Sequence, residues 1–127
     1  MPKSYYLSNG LLNSALRGQA FNVPASAYLA LFTTMPTAGG GGVEVSGGAY
    51  TRQIAAFAAP VNGQCLNSAD ILFGVATAPW GNVIGYGLYD ASSGGNLLYF
   101  NLLSTPRNVL VNDQLRFPAG QLIGTEA

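Results

Sequence analysis

The sequence contains no histidine and only one cysteine, Cys65, and both shortages exclude chemistry. Histidine is the side chain best suited to general acid or base catalysis near neutral pH, and none is present. A single cysteine forms neither an intrachain disulfide nor a cysteine metal cluster, and no histidine is available to activate its thiol. We therefore expect no catalytic residues, no cofactor and no metal site, predict that the protein is not an enzyme, and interpret Cys65 as a small packed residue.

Charge is scarce as well. Only 8% of the residues are charged, and five Lys or Arg balance five Asp or Glu to give a formal net charge of zero. Soluble domains carry about 25% charged residues. Because the few cations are scattered, a nucleic-acid partner is not expected. Proteins near zero net charge tend to associate, so we expect much of the surface to be covered by copies of the same chain or by a larger assembly.

Long apolar runs are also missing, so we expect no membrane partner. The first residues, MPKSYYLSNG, lack the apolar core and cleavage site of a signal peptide, which predicts a protein that is not exported. A chain of 127 residues, 49% of them hydrophobic, has enough material for one core. We predict a single domain over residues 1–127.

A hairpin forms the predicted centre of the fold. Residues 82–89 alternate in polarity and residues 97–103 are almost all apolar. The loop Asp90–Asn96 contains an aspartate that can bind the backbone ahead of it and two glycines suited to positive φ. Gly85 and Gly87 leave space on one face of the first strand, and we expect Trp80 to fill it.

The remaining pattern predicts more short strands and one helix. Residues 8–18 have helical spacing, with Ser8 or Asn9 as N-cap and Gly18 at the end. Turn signals lie at 59–68, and Thr105–Arg107 is expected to break the chain. Strands are predicted at residues 27–34 (apolar on both faces and therefore central), 49–58, 71–77, 109–111, 114–117 and 120–124. The predicted fold is mainly β, a compact antiparallel β-sandwich or barrel-like domain with one short N-terminal helix.

Two segments are candidate partner contacts. The glycine-rich loop, residues 35–48, holds four consecutive glycines, which are costly to order without a partner. It lacks the lysine and following helix of a phosphate-binding loop. Residues 1–7 are too apolar to remain free, so we expect them to dock. The predicted contact residues are Tyr5, Tyr6, Leu7, Gly39, Gly40, Gly41, Gly42, Val43, Glu44 and Val45.

The other polar and aromatic residues receive structural interpretations. Arg52 is expected to pair with an acid such as Glu44. The aspartates at 70, 90 and 113 are expected to bind backbone groups in turns. Aromatic side chains on strands form either a sugar-binding platform or part of the core or an interface, and we favour the second role for Trp80, Tyr86, Tyr89 and Tyr99.

The following motifs stand out: Tyr28–Thr34, Glu44–Arg52, Phe73 with Ala76, Trp80-Gly81, Gly87 with Asp90-Ala91, Gly94–Leu98, Pro106, Asp113 and Phe117–Gly120. As a set, they resemble a family of small tailed-bacteriophage virion proteins, whose members are described as minor tail, tail-fibre-like or head decoration proteins. The resemblance covers most of the chain from about Ser8 onward. It implies a β-sandwich virion component without catalysis, present in many copies and oligomeric.

From composition and resemblance together we expect a virion structural protein, assembled in the host cytoplasm as a homo-oligomer, for which a trimer is one candidate. The first hypothesis is a capsid cement or decoration protein that bridges major capsid subunits, because clamping a shell buries an apolar surface. The alternatives are an adaptor that binds proteins of the tail, neck or fibre base, and a carbohydrate-binding module of a receptor-binding apparatus.

Overall fold

The structure, a computed structural model, describes residues 2–21 and 26–125. Its one helix is α1 (Tyr5–Arg17). The strands are β1 (Ala27–Thr34), β2 (Val43–Glu44), β3 (Gln53–Ala55), β4 (Gln64–Leu66), β5 (Ile71–Leu72), β6 (Gly81–Tyr89), β7 (Leu97–Val109), β8 (Arg116–Phe117) and β9 (Ile123–Thr125). All the strand pairings are antiparallel, which confirms the predicted mainly β fold.

The main sheet has the order β2-β1-β6-β7, and β3 also pairs with β1. Two further pairs, β4-β9 and β5-β8, form separate small sheets, and the described strands close no barrel. One core joins Leu29 and Leu31 of β1 to Tyr86 and Leu88 of β6 and to Ile71 of β5. The domain is therefore sandwich-like, with the main sheet packed against the β5-β8 side.

Strand β1 lies in the middle of the main sheet, as predicted. Its residues from Leu29 to Phe32 are all buried, although successive side chains point to opposite faces. Leu31 opposes Tyr86 on the core side, and Phe32 opposes Gly85 on the other side. The sheet is consequently buried on both faces along this strand.

The space left by the glycines of β6 is filled differently from the expectation. A Cβ atom at Gly87 would lie 2.8 Å from the ring of Phe32, and one at Gly85 would also meet the side chain of Met35. Phe32 and Met35 are thus the residues that pack there, and the expectation that Trp80 fills this space is wrong.

Trp80 belongs to an aromatic cluster in the main core. Its ring packs edge-on against Tyr50 and Phe73, with centroid distances of 5.5 Å and 6.3 Å. Its indole N–H donates a hydrogen bond of 2.8 Å to the carbonyl of Gly48. A side chain at position 48 would collide with the indole, so the ring packs here because residue 48 is glycine. The position of Trp80 just before β6 in the sequence therefore does not determine where its ring packs.

Several predicted boundaries change. The helix begins at Tyr5 instead of residue 8, because Ser4 is the N-cap. Its C-terminal cap is Gly18, the glycine expected there, with a φ of 64°. The predicted strand at 49–58 shrinks to β3, since Ala49 adopts a positive φ of 66° next to a turn. The strand at 71–77 shrinks to β5, after which only isolated hydrogen bonds continue the pairing.

Non-local pairing explains the remaining differences. The predicted turn region 59–68 contains β4, which pairs with the C-terminal β9. The expected break at Thr105–Arg107 is wrong, because β7 continues to Val109 through an irregularity in the ladder. The predicted 114–117 strand is reduced to β8, which pairs with β5 and not with 109–111.

The loop between β6 and β7 forms as predicted. The Asp90 carboxylate accepts hydrogen bonds from the backbone N–H and the side-chain amide of Asn96, at 2.7 Å and 3.0 Å. Gly94 and Gly95 both adopt positive φ. The local signals in this loop were sufficient to specify its conformation.

Gly85→Ala tests the close packing of β6. The new Cβ would lie 2.7 Å from the backbone carbonyl oxygen of Asn101 on β7, which cannot rotate away. We expect a loss of about 1–3 kcal/mol in the free energy of unfolding, measured by urea denaturation. Gly74→Ala is the control, because the nearest atom to its Cβ is 3.9 Å away and we expect a change within about 0.5 kcal/mol. Equal stabilities of the two variants would contradict the prediction.

Candidate functional site: the tyrosine-glycine face

The two segments predicted to contact a partner lie side by side. The backbone N–H of Tyr5 donates a hydrogen bond of 2.8 Å to the carbonyl of Ala38. A Cβ atom at Gly39 would lie 4.0 Å from the ring of Tyr5. The start of α1 therefore rests on the glycine-rich loop. We name the surface that they form, Tyr5, Tyr6 and residues 39–43, the tyrosine-glycine face.

The side chains on this face are exposed. The exposed fraction is 64% for Tyr5, 43% for Tyr6 and 54% for Val43. Gly39, Gly41 and Gly42 are also exposed, and Gly40 is half-buried. The Tyr5 ring and Val43 next to open backbone form an apolar surface that can accept hydrogen bonds. The Tyr6 ring packs against Phe21, with 5.6 Å between the centroids.

Three of the predicted contact residues lie elsewhere. Leu7 lies on the buried side of α1. Val45 belongs to the main core, and its N–H donates a hydrogen bond of 3.0 Å to the carbonyl of Leu31. Glu44 is half-buried and ion-paired. The side chains of Leu7 and Val45 point into the protein, and the Glu44 carboxylate is occupied by Arg52 and Tyr50.

The N-terminal segment docks, but on its own chain. The N–H of Ser4 donates to the carbonyl of Leu98 at 2.9 Å, and the N–H of Phe100 donates to the carbonyl of Pro2 at 3.1 Å. The Ser4 hydroxyl donates to the carbonyl of Leu97 and accepts from the N–H of Leu7. Residues 2–4 thus cover part of the outer edge of β7, while Met1 lies outside the described residues.

The glycine-rich loop has a compact turn at its tip. Thr37 and Gly40 exchange two backbone hydrogen bonds, each of 2.9 Å. Gly42 has a φ of 78°, and a Cβ there would lie 2.6 Å from the backbone nitrogen of Pro36. Only glycine fits this position, so the glycine run serves the loop's own conformation.

An apolar stripe extends the tyrosine-glycine face along α1. Tyr5, Leu12 and Leu16 follow one another at spacings of seven and four residues, which places them on one side of the helix. Leu12 is 56% exposed and Leu16 is 78% exposed. Both leucines lie within the helix predicted from the sequence, and their exposure makes them candidate contact residues.

Glu44 and Arg52 form the predicted ion pair. The Nε and one terminal nitrogen of Arg52 donate to the two carboxylate oxygens of Glu44, each at 2.9 Å, and the Tyr50 hydroxyl donates to Glu44 at 2.6 Å. The other terminal nitrogen of Arg52 donates to the carbonyls of Ala91 and Gly94. This network ties the end of the glycine-rich loop to the β6-β7 loop.

The three ionisable groups keep their ordinary charge states at neutral pH. Burial alone would raise the pKa of Glu44, but hydrogen bonds from Arg52 and Tyr50 and the charge of Arg52 lower it overall. Burial and the hydrogen bond to the Glu44 carboxylate raise the pKa of Tyr50. No group here is poised to exchange a proton near pH 7, so the network stabilises structure.

The four aromatic residues considered for a sugar-binding platform do not form an exposed surface. Trp80 and Tyr86 are buried, and Tyr89 and Tyr99 are half-buried. The guanidinium of Arg52 lies 3.7 Å from the centroid of the Tyr89 ring. The core role that the sequence favoured is confirmed for Trp80 and Tyr86.

Among the clefts that the described residues form, two have distinctive linings. The larger, of about 550 Å³, has mainly apolar walls that include Phe57, Leu98, Tyr99 and the free, half-buried Cys65. The smaller, of about 300 Å³, is lined by Arg107 and Arg116. The described residues hold no group of three potential metal ligands. Within the same residues, no helix combines the length and apolar character required to cross a bilayer.

Glu44→Gln tests the network. Because the folded-state pKa of Glu44 lies below its usual 4.5, the carboxylate contributes stability that is fully present above about pH 4.5 and is lost as the pH falls through the folded pKa. At pH 7 we expect the variant to lose about 2 kcal/mol in the free energy of unfolding, measured by urea denaturation.

The difference between wild type and Glu44→Gln should shrink at pH 3. The control is Asp70→Asn, which removes an exposed pair with Arg116 and should cost about 0–1 kcal/mol. A difference that is the same at both pH values would show that the Glu44 charge does not stabilise the fold.

Comparison with known proteins adds the family. No curated protein matches the chain. The sequence pattern of the family described as podophage GP4 fiber I protein gp80 matches residues 2–125, which is nearly the whole chain. This match agrees with the resemblance to tailed-phage virion proteins. The chain belongs to the podophage GP4 fiber I protein gp80 family and is therefore a bacteriophage virion structural protein.

Proposed function

We propose that the protein is a non-catalytic subunit of the phage tail-fibre apparatus, an adaptor at the tail, neck or fibre base that assembles with copies of itself. The observation that carries the proposal is the uncharged apolar surface formed by the tyrosine-glycine face and the helix stripe. The family description names a fibre, which favours the tail location over the capsid location expected first from the sequence.

Self-association is supported by the charge of α1. The helix has no acidic residue in its first turn, and its one basic residue, Arg17, bonds the side chain of Asn13 at 3.2 Å. Two copies of the stripe can therefore approach without like-charge repulsion. Apolar surface of this kind on a chain with 8% charged residues is typical of a protein that is covered in its assembly.

The required area indicates that the stripe acts together with the tyrosine-glycine face. A stable interface removes about 800 Å² per partner from water. The accessible surface of the chain is 7024 Å², so such an interface would cover roughly a tenth of it. Leu12 and Leu16 alone cannot supply that area, whereas their continuation through Tyr5 to residues 39–43 forms a longer contact.

The acidic residues support a role without catalysis. The carboxylates of Asp70, Asp90 and Asp113 each accept a backbone N–H, from Ala119, Asn96 and Leu110 respectively. For Asp90 and Asp113 these are the turn roles predicted from the sequence. The turn role expected for Asp70 is wrong, because Asp70 bonds a residue 49 positions away and pairs with Arg116. An acid that holds a turn is not positioned to act on a substrate.

A double variant, Leu12→Asp with Leu16→Asp, tests self-association. We expect the wild type to be an oligomer by size-exclusion chromatography with light scattering, and the variant to be a monomer because four or more carboxylates would meet in the interface. Circular dichroism should be unchanged, since both side chains are exposed. Leu110→Asp, exposed but distant in sequence, should remain oligomeric. A monomeric wild type, or an oligomeric double variant, would contradict this interface.

Particles that lack the protein separate the tail location from the capsid location. A tail-fibre adaptor predicts particles without fibres that adsorb poorly but keep normal heat resistance. A capsid cement protein predicts normal adsorption and a loss of heat resistance, because the protein would stabilise only the assembled shell. Adsorption assays, heating series and electron microscopy of the same particles provide the three measurements.

A further inference from the structure

The smaller cleft exists because β7 leaves its ladder. Gly85 pairs with Leu102, and Val83 pairs with Arg107, so two steps along β6 correspond to five along β7. Residues 103–106 bulge away from the ladder. Residues 102–105 and Arg107 line one wall of the cleft, and residues 115–118 with 121–122 line the other. Bulges of this kind often re-aim side chains at a binding site.

The cleft has a positive character. Arg107 and Arg116 are two of the five cations in the chain, and no acidic residue lines the cleft. The backbone of Arg107 pairs with Val83, but its guanidinium makes no hydrogen bond or ion pair with the part of the chain that the structure describes. Arg116 meets Asp70 only at 3.3 Å, with both side chains more than half exposed, so this pair holds it weakly.

The other lining groups suit a hydroxylated ring. Ser104, Thr105 and Gln121 offer hydroxyl and amide groups, and the rings of Tyr86 and Phe117 meet edge-on at 6.3 Å. A guanidinium binds a carboxylate or a phosphate through two parallel hydrogen bonds. Anion binding, hydrogen bonding and an apolar ring surface together are the requirements of an acidic sugar.

We propose that this cleft, which we name the arginine cleft, binds an acidic sugar unit through its carboxylate or phosphate group. Its volume of about 300 Å³ lies at the lower end of ligand pockets, about 300–1,000 Å³, and fits a single sugar unit better than a peptide segment. A structural adaptor needs no such ligand, so the inference goes beyond the proposed function and does not depend on it.

NMR titration of the full-length chain tests the arginine cleft. The probes are sodium glucuronate and glucose 6-phosphate, with glucose, inorganic phosphate and a tetraglutamate peptide for comparison. We expect both acidic sugars to shift the amide signals of residues 103–107 and 115–121, and to bind at least tenfold more tightly than glucose. Glucuronate alone would assign a carboxylate ligand, and glucose 6-phosphate alone a phosphate ligand.

Arginine variants supply the matched comparison. Arg107→Gln should weaken binding of the preferred acidic sugar at least tenfold, and Arg116→Gln should also weaken it, with unchanged circular dichroism. Arg17→Gln, which changes an exposed arginine on α1, should bind as the wild type does. Failure of self-association in the Leu12 and Leu16 experiment would leave these results unaffected.

Three outcomes would overturn the inference. They are equal binding of glucose and glucuronate, equal binding of inorganic phosphate or tetraglutamate and the acidic sugars, and wild-type affinity in Arg107→Gln. The second outcome would identify a general anion site. The absence of any shift with either acidic sugar would also reject it.

Discussion

The close approach of β1, β6 and β7 is the constraint on which the fold depends. Gly85 and Gly87 remove two side chains from the centre of the main sheet, and Phe32 and Met35 occupy the space. This packing buries β1 on both faces of the sheet, and one of these faces belongs to the main core. The N-terminal residues and α1 then dock beside β7, which brings the start of the helix to the glycine-rich loop. The tyrosine-glycine face is a consequence of this arrangement.

Most of the charged side chains discussed above form hydrogen bonds or ion pairs within the chain. Glu44 and Arg52 join two loops, and Asp90 and Asp113 hold turns. A hydrogen bond to a fixed partner contributes more to the stability of the fold than an exposed ion pair does. The surface is left with apolar side chains and little charge to keep copies apart. The same scarcity of charged side chains supports the proposed self-association.

Local signals predicted the parts of the fold that local interactions determine. The β6-β7 loop, the central position of β1 and the pairing of Arg52 with Glu44 could all be inferred from neighbouring residues. The helix start could not, because Ser4 and Ser8 are both good N-caps and the choice rests on contacts between Ser4 and β7. The pairing of β4 with β9 joins segments about sixty residues apart, which no local pattern reveals. For the candidate site, proximity in sequence identified Tyr5 and Val43 but could not separate them from the buried Leu7 and Val45.

The most informative failure is the expected break at Thr105–Arg107. Proline normally interrupts a strand, and it is tolerated at edges and bulges, where no ladder hydrogen bond is lost. Strand β7 lies at the edge of the main sheet, and Pro106 lies within its bulge. The local sequence therefore signals an irregularity correctly, although the strand resumes beyond it. Departures from local rules tend to mark functional positions, and this one brings Arg107 to the wall of a cleft that also contains Arg116. The guanidinium of Arg107, next to this bulge and without a partner among the described residues, is the group on which the proposed ligand site depends.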